Sequence, residues 1–172
     1  MVGCRGRCVI TSQRRSISGP IHTPSPQRST RPVANGSAAV YLDSSALVKL
    51  VLDEPESAAL RAYLAGSDWV SCELALVEVP RAIRRAVATA PSLPGDVLLD
   101  RAGQLLDAVA LVALDRTLLL AAGRLPTPGL RSLDAIHVAS ALVLNGIDVF
   151  VGYDERQLAA ARLAGLRTLS PR

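Results

Sequence analysis

A single α/β domain, with helices covering both faces of a parallel sheet, is the fold this sequence predicts. From Ala38 onward, apolar runs short enough to be strands alternate with amphipathic stretches long enough to be helices. The strand-like runs are apolar at nearly every position, the pattern of strands buried on both faces. A length of 172 residues with 49% apolar side chains suits one sizeable core and is short for two ordinary domains.

The elements follow in order. Ala39-Val40-Tyr41-Leu42 reads as a buried strand, and Ser44 or Ser45 has the hydroxyl expected to cap the helix that follows. Pro55 sits near the start of a second helix, which runs through Ala65 and ends at Gly66. Trp69 to Ser71 is a short strand. Glu73 to Ala90 is a helix with an apolar face at Leu74, Val77, Ile83 and Val87 and an exposed face at Arg81, Arg84 and Arg85. Pro91 and Pro94 turn a helical hairpin whose second arm runs to about Ala108. Val109 to Leu114 is a strand, and Asp115 caps a helix. Pro126, Pro128 and Gly129 break the chain before a helix from Ser132 to Leu144, closed by Asn145-Gly146. Asp148 to Val151 is a strand, Asp154 to Ala164 the last helix and Leu166 to Leu169 a terminal strand.

Residues 1–37 are rich in Ser, Thr, Pro, Gly and Arg and carry no hydrophobic period. Such a segment buries too little apolar area to offset its ordering entropy, so a disordered basic tail is expected there, or a start site placed too far upstream. Residues 38–172 form the folded domain. The formal charge of +4 divides unevenly: residues 1–42 hold six Arg and no acid, and the remainder holds 13 basic and 15 acidic residues, a net of −2. A basic total is therefore a property of the tail and not an argument for a nucleic-acid-binding body. No stretch has the length and apolarity of a membrane helix or a signal peptide, which points to a soluble cytoplasmic protein. Cys4, Cys8 and Cys72 form no CxxC pair and support neither a disulfide framework nor a zinc site, and Cys72, beside an apolar strand, is expected in the core.

In open parallel sheets ligands bind at the carboxyl ends of the strands, so polar residues placed there are the first candidates for chemistry. Asp43 and Asp154 follow apolar strands. Glu78 and Asp134 lie within helical stretches among apolar neighbours, where an acid is costly to bury without a partner. Four acids converging on one cleft repel one another, and a hard divalent ion such as Mg²⁺ relieves the conflict because it prefers carboxylate oxygens and keeps exchangeable waters. Such an ion activates water and stabilises the leaving oxygen of a phosphodiester. Each acid also has a plainer reading: Asp43 and Asp154 as helix caps, Asp134 as a solvated first-turn residue, Glu78 as a surface partner of Arg81 or Arg85. His137, one turn after Asp134, is placed as a general base would be, but Ile136, Val138 and Ala139 beside it favour a core packing role. Ser45 either caps its helix or orients Asp43 or a metal-bound water.

Four segments in this order, Tyr41-Leu42-Asp43-Ser44-Ser45-Ala46-Leu47-Val48-Lys49, Glu73-Leu74-Ala75-Leu76-Val77-Glu78-Val79-Pro80-Arg81-Ala82, Leu130-Arg131-Ser132-Leu133-Asp134-Ala135-Ile136-His137-Val138-Ala139 and Phe150-Val151-Gly152-Tyr153-Asp154-Glu155-Arg156-Gln157-Leu158, resemble the PIN-domain ribonucleases, specifically the VapC toxins of type II toxin–antitoxin systems. The resemblance covers about residues 39–170. It implies a three-layer α/β/α sandwich with a central parallel sheet, and a Mg²⁺- or Mn²⁺-dependent endoribonuclease that cleaves structured RNA such as tRNA and inhibits translation. It also implies a homodimer and a cognate VapB-type antitoxin. Carried over, Asp43 and Asp134 are the principal metal ligands, and Glu78 and Asp154 complete the acidic cluster directly or through water. The family commonly has Thr or Ser two residues before the last acid, where this chain has Gly152, a lost hydroxyl that weakens a water-mediated contact of Asp154 without abolishing the site.

Other classes fit less well. A response-regulator receiver domain needs a Lys at the far end of its sheet, and Lys49, the single Lys, lies in the first helix. A haloacid-dehalogenase-type phosphatase has an acid two residues after its nucleophile, where this chain has Ser45. A PIN fold that binds RNA or protein without cutting, and a housekeeping RNA-processing nuclease, are the remaining alternatives; metal-dependent turnover and gene context separate them from a toxin.

Overall fold

The computed structural model describes residues 39–172, so the expected tail at 1–37 lies outside the described residues. Five strands, β1 (Ala39–Leu42), β2 (Asp68–Cys72), β3 (Ala110–Val112), β4 (Ile147–Val151) and β5 (Thr168–Leu169), pair in the order β3-β2-β1-β4-β5 with every pairing parallel. Seven helices connect them: α1 (Ser44–Val51), α2 (Ser57–Leu64), α3 (Ala75–Thr89), α4 (Gly95–Ala108), α5 (Arg116–Ala122), α6 (Ser132–Leu142) and α7 (Glu155–Leu163). Helices on both faces of the sheet make the expected three-layer sandwich.

Alternation along the central strands builds the two cores. Val40 and Leu42 of β1 and Val149 and Val151 of β4 point to one face, where they meet Leu47, Leu60, Val79, Ile83 and Leu98 of the first four helices. Tyr41 and Phe150, the residues between them, point to the other face, meet Val138 and Leu158 of α6 and α7, and stack at 5.2 Å between ring centroids. Both rings are wholly buried, and burial of a side chain of this size stabilises the fold by roughly 1.5–3 kcal/mol. Because both faces are covered, β1 is buried at all four positions, which is why its sequence shows no polar alternation.

The structure corrects several local readings. The cap of α1 is Asp43, whose carboxylate accepts the Ala46 N–H at 2.9 Å; neither serine caps it. The buried stripe of α3 is Ala75, Val79 and Ile83, an i, i+4, i+8 series, and Val77 is exposed. Asp115 and Asp154 do cap α5 and α7. Gly66 and Gly146, read as helix terminators, have φ of +78° and +84°, in the left-handed region that favours glycine. No helix among the described residues is long and apolar enough to cross a membrane.

The connections from β1 lead outward to β2 and β3, and the chain then returns to place β4 on the other side of β1. The crevice between the carboxyl ends of β1 and β4 is thus the topological switch point where parallel sheets bind ligands.

Candidate metal centre

Helices in strand–helix–strand units run back across the sheet, so their N-termini gather where the strands end. Asp43 is the N-cap of α1, Asp154 the N-cap of α7, and Glu78 and Asp134 lie in the first turns of α3 and α6. All four line one cleft of about 500 Å³, together with Ser44, Ser45, Lys49, Arg85, Arg131, His137 and Gln157. The positive ends of four helix dipoles therefore surround the acids and offset part of their repulsion.

Asp43 is 4% exposed and is the most firmly held of the four. Its backbone N–H donates to Val151 O at 3.0 Å, locking the end of β1 to the end of β4. Its carboxylate accepts from Ser45 Oγ at 2.7 and 3.0 Å as well as from Ala46 N. Burial raises its pKa above the ordinary carboxylate range, and these donors together with His137 only partly counter that. Ser45 Oγ also accepts the Tyr153 N–H at 3.0 Å, so one hydroxyl joins Asp43 to the loop that carries Asp154. The expectation that Ser45 orients Asp43 is what the geometry gives.

Asp134 is also raised, first by burial and then by the charge of Asp154. Asp154 Oδ1 accepts from Arg156 N at 2.9 Å and Gln157 N at 3.1 Å, so it is a helix cap and a cleft residue at once. Glu78 has neither Arg81 nor Arg85 as its hydrogen-bond partner. Its Oε2 accepts from Ser44 Oγ at 2.6 Å and lies 2.9 Å from His137 Nε2. Burial alone would raise Glu78, and these two contacts bring it below the usual range.

His137 is 2% exposed, as a core residue should be, but packing is not its only role. Nδ1 lies 3.0 Å from the Tyr41 hydroxyl and 3.5 Å from Cys72 Sγ, and Nε2 lies 3.1 Å from Ser44 Oγ in addition to Glu78. Burial disfavours its charge, yet Cys72 and Glu78, with Asp43 behind them, raise it to about 10. Cys72 is buried, as expected of a residue beside an apolar strand.

Two positions carry signals that sequence reasoning passed over. Gln157 is 1% exposed, lines the cleft, and has an Oε1 with no hydrogen-bond partner among the described residues. A buried amide oxygen without a partner is costly, and a cation or its bound water would satisfy it. Lys49 is paired with Glu54 and Glu56 and lies over the Tyr153 ring at 4.7 Å, so its charge is already committed.

No three His, Cys, Asp or Glu side chains among the described residues come close enough together to hold an ion as they stand. Asp43, Glu78 and Asp154 are each tied to donors within the protein, and like charges in one cleft keep their distance. The donor set still suits a hard divalent cation: carboxylate oxygens, an orphaned amide oxygen, and two acids whose ionisation is resisted.

A parallel sheet sandwiched by helices, with acids at the switch point, defines a class, and the PIN domain family model matches residues 40–163: the chain belongs to that family. Within it the chain falls among the VapC ribonucleases. Ribonuclease VapC46 of Mycobacterium tuberculosis (strain ATCC 25618 / H37Rv) is 40% identical over 137 residues, covering 78% of this chain and 98% of that protein. Ribonuclease VapC47 of Mycobacterium tuberculosis (strain CDC 1551 / Oshkosh) is 36% identical over 138 residues, covering 77% and 96%. Among solved structures, VapBC2 from Rickettsia felis, bound to a DNA fragment from its promoter, aligns with a TM-score of 0.58 over 78% of this chain and 99% of that one, at 13% identity. PAE2754 from Pyrobaculum aerophilum aligns with a TM-score of 0.54 at 18% identity, over 77% and 91%. At such identities the two structures speak for the fold alone.

Proposed function

We propose that this chain is a divalent-metal-dependent endoribonuclease, the toxin of a type II toxin–antitoxin pair, with Asp43, Glu78, Asp134 and Asp154 as its metal-binding acids. The observation that carries the reading is the arrival of these four acids, from the N-terminal turns of four helices, in one cleft at the switch point. The names of the VapC ribonucleases it resembles support the reaction class.

Mg²⁺ is the proposed ion, with Mn²⁺ able to replace it; bound there, it supplies an activated water and neutralises charge at the phosphodiester. The protein's share is positional. Asp43 is held by Ser45 and the α1 backbone, Glu78 by Ser44 and His137, and Asp154 by its own helix. Asp134 lies near Arg131, whose charge favours its ionised form. The substrate is proposed to be structured RNA such as tRNA, and the cell compartment the cytoplasm.

A VapB-type antitoxin is the proposed partner, inhibiting by placing an Arg or Lys in the acidic cleft; full cleavage by the saturated complex would exclude this. A homodimer is proposed as well, and exposed Leu119, Leu120 and Leu133 on α5 and α6 offer apolar surface for it.

The test is cleavage of a total RNA pool with Mg²⁺, Mn²⁺ or EDTA, comparing the natural protein with Asp43→Ala and Asp134→Ala. Discrete fragments that disappear with EDTA and with either substitution are expected. Folded, metal-loaded protein that leaves the pool intact would overturn the reading in favour of a PIN fold that binds without cutting.

A further inference from the structure

Glu78 differs from the other three acids in how it reaches the cleft. It is only half-buried, next in the chain to the exposed Val77, and a glutamate there has three rotatable bonds with which to leave. What brings it inward is a pair of contacts to one oxygen: Ser44 Oγ at 2.6 Å and His137 Nε2 at 2.9 Å, both on Oε2. An ionised carboxylate only accepts, so Nε2 carries the proton and donates it. On the far side of the ring, Tyr41 and Cys72 face Nδ1 from two strands of the sheet. The imidazole is thus fixed at both nitrogens and has no freedom to turn away.

Resting on the metal-centre reading above, we infer that His137 is a positioning residue, which through Nε2 holds Glu78 Oε2 and turns the other carboxylate oxygen to the cation. Asp134 and His137 lie one turn apart on α6, so a single helix presents one acid directly and aims a second through its histidine. Ser44, next to Asp43, ties the same Glu78 oxygen to α1. One hydrogen-bonded chain thereby joins the N-terminal turns of α1, α3 and α6, and three of the four acids keep a common geometry. Partners of this kind, one step removed from a cation, typically change metal affinity by about tenfold to a hundredfold when lost.

The experiment is calorimetric titration of Mn²⁺ into the full-length protein and its His137→Leu, His137→Gln, Ser44→Ala and Asp43→Asn variants, each checked for a cooperative melt. His137→Leu is expected to bind Mn²⁺ about tenfold to a hundredfold more weakly. RNA cleavage by this variant is expected to need correspondingly more Mn²⁺. His137→Gln keeps an N–H within reach of Glu78 and is expected to recover most of the affinity, which a purely structural role would not predict. If His137→Leu does not fold, Ser44→Ala removes the other contact on Oε2 without opening the core and is expected to weaken binding in the same direction. Folded His137→Leu that binds Mn²⁺ as the natural protein does, or His137→Gln as weak as His137→Leu, overturns the inference. Loss of binding in Asp43→Asn beside unchanged binding in His137→Leu overturns it alone. Undiminished binding in Asp43→Asn removes the metal centre and the inference with it.

Discussion

A methyl group on Gly152 would lie 3.1 Å from both Cγ and Oδ2 of Asp43, closer than a carbon comfortably approaches a carboxylate. The space beside Asp43 exists because residue 152 has no side chain. On its other side the carboxylate is pinned by Ser45 and Ala46, so it cannot give way without stretching those bonds. Gly152→Ala is therefore expected to lower metal affinity and cleavage, and Gly152→Val to lower both further while the melt stays cooperative. Mn²⁺ titration of the two variants checks the ranking. An alanine variant with natural affinity would mean that Asp43 has slack that its hydrogen bonds do not suggest.

The same relationship recasts the departure at Gly152. Against the Thr or Ser common in the family, the glycine reads as a lost hydroxyl. Here Ser45 supplies a hydroxyl to Asp43 and binds the Tyr153 N–H next to residue 152, so the loop is tied to the acid from the opposite side.

Asp43 and Asp134 have raised pKa values, Asp43 through burial and Asp134 through burial and then Asp154. A raised carboxyl contributes stability that is complete below its unfolded pKa and is lost as pH climbs through its folded value. A divalent ion binds only the ionised forms, so it must displace those protons. Mn²⁺ affinity, and the gain in melting temperature on adding Mn²⁺, are therefore expected to increase as pH rises through and above the ordinary Asp carboxyl value of about 4. Affinity that is level across this range in the natural protein would show that neither acid exchanges a proton for the ion.

Much of this arrangement was legible in the sequence, for a reason that lies in the topology. Parallel strand–helix units bring strand C-termini and helix N-termini to one edge, so acids at those junctions are gathered whatever the loop details. Asp43 and Asp154 needed only their place after apolar strands. Glu78 and Asp134 needed recognition that their helices begin nearby, because Glu78 fits a surface salt bridge and Asp134 a solvated first-turn position as well. The role of His137 was not legible. Apolar neighbours correctly report that a residue is buried, but they do not report which polar atoms meet it from β1, β2, α1 and α3. Gln157 was missed likewise, since burial of a polar residue on α7 follows from what packs over it. For α1 the sequence offered both Asp43 and the serines after it as caps, because Asp and Ser cap with similar preference, and the structure has Asp43.

Ser45 is predicted to matter for stability as well as for the site. Its hydroxyl donates to a buried carboxylate and accepts a backbone N–H from the β4–α7 loop. Ser45→Ala leaves the Tyr153 N–H without its partner and Asp43 with only the Ala46 N–H, which is expected to cost about 1–3 kcal/mol. Urea unfolding without metal measures it directly. A variant as stable as the natural protein would mean that water replaces the hydroxyl at both contacts.

Of the Lys and Arg that line the cleft, Arg85 and Arg131 are the two not held in an ion pair. Both line the cleft with the four acids, whereas Lys49 is bound to Glu54 and Glu56. Arg85 acts on Glu78 and Arg131 on Asp134 at longer range, so if the scissile bond lies at the acids each is within reach of a flanking phosphate. Guanidinium groups grip phosphate through paired N–H donors, which lysine cannot match. Arg85→Gln and Arg131→Gln are expected to raise KM for RNA severalfold with a smaller change in kcat. Each is also expected to reduce the salt dependence of RNA binding by about 0.7 in log–log slope for a single-stranded contact. Binding measured across a salt series reads this without requiring cleavage, and an unchanged slope in both variants would place the RNA backbone elsewhere on the protein.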